Sequence, residues 1–196
     1  MTRRSLFLVA LLVVALALPA TASQFIERSF DDVARGSALV ARGTIQQTWS
    51  AWDDAHEVIY TYATLRVNRY FGESTGPDTL VVREVGGTVG DYTQEAIGFP
   101  MLRGGEQVVL FLNKWENNSA DYRIEAYTQG KYVVRNIGGI ETLTLDPITQ
   151  GQERLNGGVL RQTLEALPSL TVDEFSTMVD AARAALPSRP AAERQQ

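Results

Sequence analysis

Apolar and polar residues alternate most clearly in "EVIYTYATLRVNRYF", residues 57–71. Ile59, Ala63, Leu65, Val67 and Phe71 share one parity, with Thr61 and Arg69 as its polar members; Tyr60, Tyr62, Thr64, Arg66 and Asn68 share the other. A period of two predicts a strand with one face on a core and the other amphipathic or wet. Its 15 residues are many for one strand, which predicts a bend or bulge of the kind found in small closed barrels. Before it, "SALVARGTIQQTW" reads as a first strand with an irregularity at Gly43. After the loop "GESTGPD" comes the strand "TLVVREVGG", and then "QVVLFLNKW", whose unbroken apolar centre predicts burial on both sides. "DYRIEAYTQGKYVVRNIG" reads as a hairpin turned at Gln129-Gly130, and a weaker strand is expected over residues 141–145, stopped by Asp146-Pro147.

Helical spacing is rarer. "SFDDVAR" predicts one short helical turn capped by Ser29, with Asp32 three residues on. Near the C-terminus, Thr171 and Glu174 form a capping-box pattern, and Phe175, Met178, Val179, Ala182 and Leu186 follow at helical spacing until Pro187. The pattern therefore gives five to seven strands and one C-terminal helix, without crossover helices between strands. That excludes a doubly wound α/β fold and favours a mainly β, mostly antiparallel barrel, or alternatively a small sandwich.

The N-terminus has a different character. Arg3 and Arg4 precede the apolar run "SLFLVALLVVALAL", and Ala20-Thr21-Ala22 follows as a small-x-small site. This is the pattern of a secretory signal peptide, with cleavage expected after Ala22 and no stable membrane span afterwards. The expected organisation is a signal peptide over 1–22, a β-barrel domain over 23–168, an amphipathic helix over 169–187 and a disordered tail over 188–196. Residues 150–158 have the least ordered composition inside the domain.

Composition narrows the function classes. Loss of Arg3 and Arg4 would take the basic residues from 18 to 16 against 23 acidic ones, a net charge near −7. No run of Lys or Arg is present to follow a nucleic-acid backbone, so a nucleic-acid partner is disfavoured. The chain has no cysteine, which removes disulfides, thiol nucleophiles and thiolate metal ligation. Asn117-Asn118-Ser119 matches a glycosylation triplet but reads more simply as a polar turn. Export points to the periplasm or the extracellular space.

The glycine-rich stretch "GGTVGDYTQEAIGFPMLRGGEQVVLFL" lacks the spacing and the following helix of a dinucleotide site, and has no Gly-Lys-Ser/Thr. Gly86-Gly87 is expected instead to end a strand, with turns at Gly90-Asp91 and Gly104-Gly105. No cofactor is predicted, and no metal site: Asp53, Asp54 and Glu57 do not match a calcium loop. His56 is the only histidine, and with Asp53 and Glu57 it is the best candidate for a hydrolytic site. No catalytic residue is assigned. Trp49, Trp52, Tyr60, Tyr62 and Tyr70 are the candidates for a partner-binding surface, with a filled core as the plain alternative.

Residues 37–137 resemble a group of uncharacterised exported bacterial β-rich proteins. The likeness rests on Gly86 to Asp91, Gly98 to Pro100, Gly105-Glu106, Leu110 to Leu112 and Gln129 to Lys131. It implies no catalytic residue. More loosely, the early helix, "SALVARG" and the long strand ending in "RYFGES" resemble the netrin-like modules, which include tissue inhibitors of metalloproteinases. That resemblance implies a five-stranded OB-type barrel with helices packed against it, and with the strand pattern above the expected fold is an OB-like antiparallel barrel of five to seven strands. Those inhibitors chelate zinc through an N-terminal cysteine, which this chain lacks, so their mechanism does not carry over. The expectation is a secreted or envelope-associated binding module with an envelope protein or glycan as partner. A hydrolytic enzyme near His56 and a protease-inhibitor-like protein are the alternatives.

Overall fold

The computed structural model describes residues 28–116, 119–146 and 169–185. The expected leader, most of the Asn117-Asn118-Ser119 turn, the 150–158 segment, Leu186 and the tail lie outside the described residues. The chain runs α1 (Phe30–Gly36), β1 (Leu39–Trp52), β2 (Ile59–Phe71), β3 (Thr79–Val85), β4 (Gly87–Val89), β5 (Tyr92–Gln94), β6 (Gln107–Lys114) and β7 (Tyr122–Ile124). A 3-10 turn (Tyr127–Gly130), β8 (Lys131–Ile137), β9 (Ile140–Leu145), β10 (Ser169–Thr171) and α2 (Val172–Ala184) follow.

Five strands close on themselves in the order β1-β2-β3-β7-β6, with β6 pairing back to β1. Every pairing is antiparallel except β3–β7, which is parallel and joins Val82 to Tyr122. This is an OB-type barrel. Its interior holds Ala41, Ile45, Ala63, Leu65, Leu80, Val82, Val108, Leu110 and Leu112. A second core lies outside the wall, where Val40, Phe71, Val109, Phe111 and Leu143 meet Val33 and Ala34 of α1 and Phe175, Val179 and Ala182 of α2. β6 faces both cores, which explains its unbroken apolar sequence.

The bulges expected in the long strands are present and decide where side chains go. In β2, Arg42↔Arg69 is followed by Gly43↔Val67, so Asn68 is the extra residue. In β1, Ile45↔Leu65 is followed by Gln47↔Thr64, so Gln46 is extra. Each extra residue flips the parity beyond it. Phe71, which alternation alone puts with Leu65, therefore lies in the outer core. At Gly43 the strands approach so closely that a Cβ would sit 2.3 Å from the Arg66 carbonyl oxygen.

The hairpin expected at Gln129-Gly130 is not formed. β7 and β8 do not pair with each other; both pair with the same edge of β6, one after the other. Leu112 pairs with Ile124 and Leu110 with Lys131, so the two-residue step along β6 is matched by seven residues, and five are extruded. Ala126 and Tyr127 take left-handed backbone there, with φ of 55° and 57°. Gly130 is required because a Cβ would lie 2.0 Å from the Glu125 carbonyl oxygen. β8 then leaves the barrel and founds the outer β8-β9-β10 sheet.

Both helices begin as their sequences predict. Ser29 Oγ accepts from the Asp32 amide at 3.2 Å. Thr171 Oγ1 accepts from the Glu174 amide at 3.2 Å while Glu174 Oε2 accepts from the Thr171 amide at 2.8 Å. α2 buries Phe175, Val179 and Ala182; Met178 is off that stripe and exposed. Arg183 fastens α2 to the wall, donating to the carbonyls of Gly72 at 2.7 Å and Ser37 at 3.0 Å and to Ser74 Oγ at 2.8 Å.

Candidate functional site: the outer face of β1 to β3

β1, β2 and β3 carry their wet side chains on the outer surface away from both helices. There Trp49 pairs with Tyr62, and Tyr62 with Arg83. The Trp49 and Tyr62 rings stack at 5.3 Å with 9° between planes. Arg83 lies between two rings, its guanidinium carbon 4.9 Å from the Tyr60 centroid and 4.5 Å from that of Trp115. Tyr60 and Trp115 meet edge to face at 5.4 Å. The cation is attracted by each ring's quadrupole, by about 0.5–2 kcal/mol per contact depending on solvation. Asp121 Oδ2 stands 3.9 Å from Arg83 Nε, and that buried nitrogen has no hydrogen-bond partner among the described residues. Trp49 remains 39% exposed, so the patch opens to solvent through it.

Three of the five expected surface aromatics, Trp49, Tyr60 and Tyr62, thus come together. Tyr70 does not join them. The Asn68 bulge turns it to the other side, where it packs on the barrel core and donates its hydroxyl to the Pro77 carbonyl at 2.7 Å. Trp52 is also elsewhere. It pairs with Ile59 on the inward side, stacks on His56 at 6.1 Å and meets Tyr92 edge to face at 5.8 Å at the barrel end. Trp115 and Arg83 complete the patch unannounced, since they come from the β6–β7 turn and from β3.

His56 is exposed on the β1–β2 turn with φ of 57°. The Asp53 carboxylate beside it accepts from the amides of Glu57 at 2.7 Å and Val58 at 3.1 Å. Those hydrogen bonds, from Val58 and then Glu57, favour the charged form and hold its carboxyl pKa below the ordinary value. Asp53 is therefore engaged in shaping the turn.

The glycine-rich stretch closes the barrel end. β4 and β5 form a hairpin turned at Gly90-Asp91, with positive φ at Gly90 and not at Asp91, as a type II′ turn requires. Its base is tied down where Gln94 Oε1 accepts from the Ile59 amide at 2.7 Å and Thr61 Oγ1 donates to the Gly86 carbonyl at 2.7 Å. Gly87 has φ of +143°, and a Cβ there would sit 2.4 Å from Ser50 Oγ.

Two ionisable features lie inside. Glu84, on β3 behind Arg83, is 2% exposed, and its Oε1 accepts from the Ile124 amide at 2.6 Å, beyond the single β3–β7 pair. Burial pushes its carboxyl up to about 8. Lys131 is fully buried, and its Nζ donates to Glu106 Oε2 at 2.7 Å, Asp146 Oδ2 at 2.8 Å and the Met101 carbonyl. The Gly-Glu and Gln-Gly-Lys motifs, apart in sequence, meet in this cluster.

Fold and face together define a small OB-type barrel with one helix-covered side and one open aromatic side. Comparison with protein-family models, with curated proteins and with solved structures finds no match to this chain.

Proposed function

We propose that this chain is an exported binding module of the cell envelope or its surroundings, without catalytic activity of its own, whose partner docks on the outer face of β1 to β3. The observation that carries this reading is the convergence of Trp49, Tyr60, Tyr62, Arg83 and Trp115 from four segments onto one partly open face. Trp, Tyr and Arg are the residue types that dominate protein–protein contacts, because they offer large rigid area with a polar handle. OB barrels place ligands on the face of their second and third strands and on the adjoining turns. Here these are β2, β3 and the Trp115 turn. The acidic balance of the chain disfavours polyanions, so a protein partner is the preferred occupant.

The experiment is affinity capture from an envelope extract with the wild-type domain and the Trp49→Ala, Tyr62→Ala double variant side by side. A protein held by the first and lost by the second supports the reading. Identical retention by both would overturn the assignment of this face, and selective retention of a glycan would change the partner class. A hydrolytic site at His56 draws no support from its exposed turn, and an inhibitor-like role rests on the barrel alone.

A further inference from the structure

Lys131, Asp146 and Glu106 place an amine and two carboxyl groups in direct contact inside the protein. Lys131 is fully buried and Asp146 is 2% exposed. The two are cross-strand neighbours at the open end of the β8–β9 hairpin, where the Asp146 amide donates to the Lys131 carbonyl at 3.0 Å. Their side chains meet with Nζ 2.8 Å from Oδ2. On the other side of Nζ, Glu106 Oε2 stands at 2.7 Å. Arg103 Nη1 lies 3.5 Å from Glu106 Oε1 and 4.0 Å from Asp146 Oδ2. We propose that Lys131 and Asp146 condense spontaneously into an intramolecular isopeptide bond, with Glu106 as the proton carrier.

The charge balance permits the reaction. Among the described residues, Lys131 and Arg103 set two basic groups against the two carboxyls of Asp146 and Glu106. Passing the Lys131 proton along its 2.8 Å hydrogen bond to Asp146 leaves the total unchanged and gives the neutral amine and the carboxylic acid that the condensation uses. The amine then attacks Cγ of Asp146, forming the N–C bond. Glu106 takes a proton from Nζ and returns it to the departing hydroxyl, the C–O bond breaks, and one water leaves. Arg103 is placed to stabilise the negative oxygen of the tetrahedral intermediate. No oxidant, metal or cofactor is consumed, and fixed contact between the reactants supplies the effective concentration. Asp146 is assigned as the acyl partner because it is the more buried carboxyl and the strand neighbour of Lys131. Glu106 is more exposed and nearer the Arg103 charge, which suits a base. In a chain with no cysteine, such a bond would do the work of a disulfide.

The test is mass spectrometry of the purified full chain, denatured and digested with trypsin. A linked chain is expected to yield residues 124–135 joined to residues 136–154, lighter than their sum by one water, because trypsin does not cut after an acylated lysine. Lys131→Arg and Asp146→Ala should abolish the linked species, and Glu106→Gln should leave it incomplete. Free peptides 124–131 and 136–154 in the wild type, without the linked species, would overturn the proposal whatever the variants do. Linkage to Glu106 would overturn the choice of acyl partner, and full linkage in Glu106→Gln the role of Glu106.

Discussion

On the outer surface of β1, β6 and β9, Val40, Val109, Phe111 and Leu143 are covered by Val33 and Ala34 of α1 and Phe175 and Val179 of α2. On the outer surface of β1 to β3, Trp49, Tyr60, Tyr62 and Arg83 lie against one another and Trp115, and Trp49 keeps over a third of its surface in solvent. Both walls are rich in aromatics. What separates them is cover: one has a helix whose apolar stripe fits it, and the other carries polar tips and a cation that tolerate water. Aromatic content by itself therefore does not mark a contact surface; an aromatic group left without an apolar lid does.

The largest break in this comparison is expected from Phe175→Ala. Phe175 is fully buried and meets Phe30, Phe71, Phe111 and Tyr132 at ring-centroid distances of 5.3 to 5.7 Å. Emptying that position should cost about 3–5 kcal/mol, read as a fall in the urea midpoint at constant slope.

Next is Glu84, which supports the open wall from within. Its folded-state value of about 8 stands above the ordinary glutamate value of 4.5. Between these values the native state holds a proton that the unfolded chain has released. The Glu84 contribution is therefore fully present below about pH 4.5 and lost as pH rises through about 8. Glu84→Gln keeps an acceptor for the Ile124 amide and should flatten this fall, stabilising the protein at pH 9 by on the order of a few kcal/mol relative to wild type. Urea midpoints at pH 5, 7 and 9 measure it.

On the covered wall, Arg183→Met removes the donors to Gly72, Ser74 and Ser37. It should cost about 1–3 kcal/mol and raise amide exchange in α2 before it raises exchange in the barrel. Smallest in stability is Trp49→Ala. Losing its stack on Tyr62 should cost about 0.5–1.5 kcal/mol by chemical denaturation, while partner capture falls at least tenfold.

Much of the fold is legible in the sequence because the signals are local. Ser29 and Thr171 carry their capping partners three residues away, β2 alternates visibly, and β6 shows two buried faces in one apolar run. The bulges at Gln46 and Asn68 have no such signature, since an extra residue in a strand is fixed by its partner's register. Parity therefore misplaces Tyr70 and Phe71, and proximity in sequence misplaces Trp52. Gln129-Gly130 looks like a hairpin turn because a glycine there is obligatory, but the obligation comes from contact with the Glu125 backbone. The open face was half legible: its three β1–β2 aromatics stand out, whereas Trp115 and Arg83 reach it only through the closure of the barrel. Lys131, at the head of "KYVVRNI", carries no local signal of burial, and only the meeting of two distant motifs reveals it as buried.

β6 has a consequence for how the molecule comes apart. Its inner side chains belong to the barrel interior and its outer ones to the helix-covered core, while one edge carries β7 and β8 end to end. Neither compartment has a wall of its own that could survive the loss of the other's. The two should melt in a single cooperative transition, with calorimetric and van't Hoff enthalpies in agreement, although the described residues form two separate apolar clusters.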